Sequence, residues 1–343
     1  MATVVTKRIP SQTYVPGALR TYVHTLWRPR IIRMSRFTHA SIVRGVIDIP
    51  AGLAASQERF NGEAGRAFVA ALPHRAADFM SRWSLRLDGP SRYGMCALVL
   101  PVLRADGTRA ALKLQYLDEE TAGEPIALRT WAGEGAVELL KYDTETGTLL
   151  LERLDATRAL THEPDTRAAT LVIAHLLARL TTVSAPPELH RRLGEVTAAM
   201  LERAPATLPR IPDPSDRRLI EDCAAAVREV ATEPGDRLLH WDLHYDNVLG
   251  AGDGDRGPWL AIDPKPLAGN PGFELFPALD NRFDPDEIRW RFDAMTDVIG
   301  VDRARARAWT LGRVLQNTLW SLESDRPPAP DHLEIARRLR TPR

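Results

Sequence analysis

One stretch limits what this chain can become. It reads Leu238-Leu239-His240-Trp241-Asp242-Leu243-His244-Tyr245-Asp246-Asn247-Val248-Leu249, and after a short Gly/Asp-rich interval it resumes as Trp259-Leu260-Ala261-Ile262-Asp263-Pro264-Lys265. The pattern predicts an apolar strand, a polar turn, a second short strand, a loop, and an apolar strand that ends in a carboxylate. An Asp followed five residues later by an Asn, with another Asp 21 residues beyond the first, sets three hard-oxygen side chains on short turns. Such donors suit chemistry done by positioning and by neutralising phosphate charge. An ordinary strand–turn–strand with surface acids is the alternative reading of the same residues.

The run His240-x-Asp242-x4-Asn247, with Ile262-Asp263 after it, resembles the aminoglycoside phosphotransferases. These are relatives of the protein kinases in which Asp-Phe-Gly is replaced by a looser Asp motif. The surrounding text, from Leu238 through Glu274-Leu275, is similar to the branch that includes streptomycin 6-phosphotransferase and hydroxyurea phosphotransferase. The resemblance implies an α+β, protein-kinase-like two-lobe fold, with a small antiparallel N-lobe sheet and a mainly helical C-lobe. It also implies transfer of the γ-phosphoryl of ATP, with Mg2+, to a hydroxyl of a small molecule such as streptomycin. In that scheme Asp242 takes or orients the hydroxyl proton, and Asn247 and Asp263 hold the magnesium. Rival readings are a same-fold kinase of hydroxyurea or an ordinary metabolite, and a non-catalytic nucleotide-binding protein. The chain departs from the family at Trp241, where the family usually has Gly.

Length and composition agree with two lobes. The chain has 343 residues, 44% of them apolar and 26% charged, and Lys plus Arg equals Asp plus Glu at 45 each. A balanced charge points to neither nucleic acid nor membrane. Cys96 and Cys223 make neither a disulfide framework nor a metal cluster, which fits a reducing cytoplasm. No apolar run approaches the roughly 20 residues of a membrane helix. The expected partner is a small cationic molecule, and the expected state a monomer.

In chain order, residues 1–45 hold eight Lys and Arg with no acid before Asp48 and no sustained apolar period. They read as a disordered basic extension, with a targeting or nucleic-acid arm as the alternative. Residues 46–152 form the N-lobe: two helices from Ala51 to about Trp83 broken at Pro73, then strands at Ser84–Leu87, Ala97–Leu103 and Ala110–Gln115. Lys113 lies on an apolar strand, where a charge needs a partner. By the resemblance it meets the α/β-phosphates and a helix acid, best Glu124. The phosphate-covering loop is reduced to Ser91 and Gly94, or is simply a β-turn. A hairpin at 136–140 and 148–154 leads into the interlobe hinge, where the resemblance puts backbone groups of Glu152 to Leu154 against adenine.

Residues 153–323 form the C-lobe, with helices expected at Thr166–Thr182, Pro186–Arg203, Asp213–Val230 and Ala304–Glu323. Asp284 and Pro285 are expected to start one more. Gly269-Asn270-Pro271-Gly272-Phe273-Glu274-Leu275 resembles a family element whose acid braces the catalytic loop. Glu274 and Asp280, in an acidic run after the metal loop, are the candidate substrate-binding acids, Asp280 above all because helix starts account for its neighbours. Residues 324–343, with Pro327-Pro328-Ala329-Pro330, read as a spacer and a short basic tail. Removing residues 1–45 is expected to leave the melting temperature and activity unchanged. A large fall in melting temperature would show that the arm packs on the core.

Overall fold

The computed structural model describes residues 47–252 and 256–340; the extension expected at 1–45 lies outside them. The N-lobe opens with α1 (Ala51–Arg82), and its sheet follows as β1 (Arg86–Leu87), β2 (Arg92–Tyr93), β3 (Ala97–Leu103), β4 (Arg109–Gln115), β5 (Leu139–Asp143) and β6 (Thr148–Glu152). Strand order is β1-β3-β4-β6-β5, with β2 also on β3, and the pairs are antiparallel. Between β4 and β5 the chain forms α2 (Glu124–Trp131).

Side-chain alternation along β4 does the essential work. Leu112 and Leu114 point to α1 and join Leu53, Leu72, Phe79, Leu98, Leu100 and Leu150 in a closed apolar layer. Lys113, between them, is thereby forced to the opposite face.

The helix before the sheet differs from expectation. Its backbone leaves the helical region at Gly62 (φ 56°, ψ −127°) and runs through Pro73 without a break. Gly62 takes a positive φ that a side chain would resist. Leu72 and Ala76, fully buried on either side of Pro73, hold the helix to the sheet across the missing hydrogen bond.

The chain crosses to the C-lobe through β7 (Asp155–Ala159), which pairs with β9 (Val248–Gly250); β9 pairs with β10 (Trp259–Ala261), and β8 (Arg237–Leu239) pairs with β11 (Leu267–Gly269). Around these lie α3 (Thr166–Leu180), α4 (Leu193–Thr207), α5 (Pro214–Val230), α6 (Phe276–Asp280), α7 (Ile288–Ile299), α8 (Arg303–Glu323) and α9 (Pro330–Arg340). Asp213, where the helix start is expected, caps α5 and accepts from the Ser215 and Asp216 amides at 2.8 and 3.0 Å. Asp284 instead caps a turn ahead of α7, accepting from the Asp286 amide at 3.0 Å.

Two expectations are corrected here. Residues 186–192 are not helical, because Arg191 and Arg192 run alongside β11, with the Ala268 amide donating to Arg191 O at 2.9 Å. The supposed tail is α9, whose His332, Leu333, Ile335, Ala336 and Leu339 are buried. Their i, i+1, i+3, i+4, i+7 spacing is a helix face that the Pro-rich spacer conceals. Among the described residues no helix is long and apolar enough to cross a membrane, and both cysteines are free and buried.

Ile335 is fully buried. Ile335→Ala is expected to destabilise by about 2–5 kcal/mol, read as a lowered urea midpoint with an unchanged slope. A shift near zero would mean that α9 is not part of the core.

Candidate active site

The hairpin of β9 and β10 builds the centre. Its register pairs Val248 with Ala261, so the residues just outside it, Asn247 and Ile262-Asp263, emerge side by side. The Ile262 amide donates to Asn247 O at 2.9 Å and the Lys265 amide donates to His240 O at 3.0 Å. Asn247 Nδ2 donates to Asp242 O at 2.9 Å, which fixes the loop and leaves the amide oxygen for another partner. His240 is fully buried against Trp131. Its Nδ1 accepts from the Asp242 amide at 3.3 Å, so Nε2 carries the proton and donates to Ile262 O at 3.1 Å.

Lys113 joins the two lobes. Its Nζ lies 2.7 Å from both Glu124 oxygens and 2.6 Å from Asp263 Oδ1. Burial acts against the ammonium charge, but the carboxylates of Asp263 and Glu124 raise its pKa. Lys265 supplies a second ammonium, 2.9 Å from the same Asp263 oxygen. Burial alone would raise the Asp263 pKa, yet Lys113 and Lys265 hold it well below the usual carboxylate range. Asp263 therefore remains an anion throughout the working pH range.

Trp241 takes a left-handed backbone (φ 65°), a conformation that glycine adopts at no steric cost. Its indole does not crowd the loop. It is 3% exposed and lies under the guanidinium carbons of Arg191 and Arg313, 4.0 and 4.6 Å from the ring centroid, with Trp320 and Phe273 beside it. The Trp241 amide donates to both oxygens of Glu274, at 3.0 and 2.9 Å.

Glu274 is fully buried, so the structure gives it the bracing role and not a place on a substrate surface. Burial pushes its pKa up to about 7, against the backbone amides of Trp241 and His240 that favour the anion. Asp280 is also committed within the fold: its Oδ1 is 3.1 Å from Nε2 of buried His332, tying α6 to α9. Ser91 Oγ donates to Asp48 O at 2.7 Å, tying the β1–β2 connection to the segment before α1, and the Gly94 amide closes the β2–β3 turn on Ala97 O at 3.0 Å. The Glu152 amide is bound to Glu138 O at 3.0 Å and its carboxylate to Arg256 at 2.8 Å. A hinge contact with a base would then fall nearer Leu154, which is 8% exposed.

Sequence reasoning missed Lys265, Arg191 and Arg313. A signal existed for the last: Arg313 is the sole charge between Arg307 and Glu323. Arg191 reaches Lys265 O at 2.9 Å and Glu120 Oε1 at 3.5 Å, linking the turn after β10 to the β4–α2 connection.

A two-lobed fold with a Lys–Glu–Asp relay across the cleft, and with Asp and Asn on a laced loop, defines a kinase-type phosphotransferase site. The chain matches the family described as aminoglycoside/hydroxyurea antibiotic resistance kinase over residues 82–325, and it belongs to that family. It is 60% identical over 296 residues to a hydroxyurea phosphotransferase of Kitasatospora aureofaciens, covering 86% of each chain. It is 54% identical over 286 residues to a streptomycin 6-kinase of Streptomyces glaucescens, covering 81% of this chain and 92% of that one. Among solved structures it resembles a choline/ethanolamine kinase family protein from Mesorhizobium loti, with a TM-score of 0.55 and 17% identity over 77% of this chain and 92% of that one. It also resembles a thermostable aminoglycoside phosphotransferase in ternary complex with ADP and hygromycin B, with a TM-score of 0.51 and 13% identity over 77% and 96%. These two likenesses concern the fold.

His240 gives a pH prediction. Burial pushes its pKa down to about 4, whereas an unfolded imidazole titrates near 6.5. The unfolded chain therefore takes the proton first, and stability is lost as pH falls from about 6.5 towards 4, by about 3 kcal/mol at most from this group. His240→Gln is expected to flatten the dependence of the urea midpoint on pH in that window. Parallel curves for the two proteins would remove His240 as the cause.

Proposed function

We propose that this protein transfers the γ-phosphoryl group of ATP to a hydroxyl of a streptomycin-type aminoglycoside. The observation that carries the reading is the Lys113 ammonium held between Glu124 and Asp263, with Asp242 and Asn247 fixed beside it. Lys113, kept charged and aimed by Glu124, contacts the nucleotide phosphates. Lys265 adds a second positive charge at the same carboxylate. Asp263 and the Asn247 amide oxygen are hard donors, and two of them suit a magnesium ion shared with nucleotide phosphates. When bound, that ion neutralises phosphate charge. Leu154 at the hinge is the assigned contact for the adenine edge.

Asp242 orients the acceptor hydroxyl and takes its proton as the acceptor oxygen bonds to the γ-phosphorus. The bond from that phosphorus to the β-bridging oxygen breaks, and ADP leaves. Glu274 and His240 act through the loop: they hold the backbone amides of Trp241 and Asp242 and touch no substrate.

The cationic character of the acceptor draws support from Glu120, which stands close enough to Asp242 for the two carboxylates to repel. With Asp280 engaged by His332, Glu120, which Arg191 faces at 3.5 Å and only partly offsets, is the acid we assign to the acceptor's positive groups. A second reading, a small neutral acceptor such as hydroxyurea, is favoured by the buried cations Arg191 and Arg313 near the same loop and by the 60% identical relative.

Asp242→Asn is expected to lower kcat about 10²–10⁴-fold while MgATP still raises the melting temperature. Asp263→Ala is expected to abolish that MgATP-dependent rise. Wild-type turnover by Asp242→Asn would remove Asp242 as the base. Steady-state kinetics are expected to give streptomycin the higher kcat/KM, falling with added salt because the attraction is electrostatic. Turnover of hydroxyurea alone would put the second reading in its place.

A further inference from the structure

Helix α8 is buried on every side from Ala308 to Leu322, and such a helix is ordinarily apolar all round. This one carries Arg313, Gln316 and Asn317, with Trp320 a turn further on. Arg313, Asn317 and Trp320 share one stripe (i, i+4, i+7), and its two ends touch Trp241. The Arg313 side chain is wedged by the Trp241 and Phe273 rings, 4.6 and 5.5 Å from their centroids, and only 4% of the residue is exposed.

Among the described residues its guanidinium meets no hydrogen-bond acceptor. Nε and Nη1 are sealed in that state, and Nη2 is the nitrogen that is not sealed. Burial pushes the group down to about 10, while the carboxylates of Asp242, Glu120 and Glu274 pull it up, Asp242 the most strongly. A fixed cation beside a general base weakens that base, and a buried donor without an acceptor is costly. Neither feature serves the reaction unless the guanidinium has an oxygen to bind.

We propose that Arg313 is an acceptor-binding residue: its unsealed guanidinium edge donates to an uncharged oxygen that the acceptor carries next to the hydroxyl to be phosphorylated, and so turns that hydroxyl onto Asp242. This rests on the small-molecule kinase reading and adds what the acceptor must present. In hydroxyurea the oxygen is the carbonyl adjoining the N-hydroxyl group; on a cyclitol ring it is the neighbouring hydroxyl. Any guanidino or amino group of the acceptor must lie away from Arg313, whose charge repels it. Trp241 and Phe273 are positioning residues in this arrangement, since they clamp the guanidinium between ring faces.

The test is steady-state kinetics on the full chain, as wild type, R313M and R313K, with streptomycin and hydroxyurea each varied against MgATP. R313M is expected to raise the KM of the phosphorylated acceptor at least tenfold, with a smaller change in kcat and the KM for ATP within twofold. R313K, which keeps the charge but not the fork, is expected to recover part of the loss; should R313M fail to fold, R313K reads the same KM. An unchanged acceptor KM, or acceptor and ATP constants rising together, would overturn the proposal. Wild type that phosphorylates neither molecule would defeat the assigned reaction. Calorimetric binding of each molecule to wild type and R313K then decides Arg313: weaker binding to the variant upholds it, and equal or absent binding overturns it.

Discussion

The ammonium of Lys113, shared between Glu124 and Asp263, is the contact on which the rest of the structure turns. It draws together β4 and the first residue of α2 from the N-lobe with the turn after β10 from the C-lobe. All three groups are largely removed from water, so the attraction is strong and the cost of breaking it is high. Removing one partner of a buried pair leaves an uncompensated charge, a loss of about 3–5 kcal/mol. The arrangement is tolerable because the charges are multiply paired, with Lys265 as a second cation on Asp263. It also sets the separation of the lobes, through a chain of contacts each under 3 Å.

Strain is concentrated on either side of this relay. Trp241 and Asp263 both adopt left-handed backbones, at φ 65° and 58°, at a cost of roughly 1–2 kcal/mol for each non-glycine residue. Surrounding contacts hold them there. Glu274 takes the Trp241 amide with both oxygens, the β9–β10 hairpin holds Ile262 next to Asp263, and the indole is stacked between arginines and aromatics. Strain of this kind next to the reacting group is a mark of preorganisation. The buried part of α8, from Ala308 to Leu322, supplies part of the support through Arg313 and Trp320.

The local pattern was enough to determine much of this protein. The alternation in Ala110–Gln115 singled out Lys113 as the charge that needed a partner, and the Asp242, Asn247 and Asp263 spacing identified the loop and its neighbours. Short-range signals placed the helix start at Asp213 and the hairpin between residues 140 and 148. These succeeded because strand period, capping and tight turns depend on residues within a few positions of one another. The break in the first helix went to Gly62 instead of Pro73, because burial of Leu72 and Ala76 outweighs one lost hydrogen bond. The last helix was hidden behind prolines for the same reason: its apolar face has meaning only against α5 to α8.

What tertiary structure alone decided is where charges end up. Nothing near Asp280 in the chain announces His332, 52 residues away, and nothing near Arg191 or Arg313 announces Trp241. Electrostatic partners are chosen by distance in space, and the energy of each depends on how completely both groups leave water. The sequence therefore determined the reaction-type loop and its lysine. Folding determined which acids brace the loop, which carboxylate a second lysine neutralises, and which buried guanidinium stands beside Asp242.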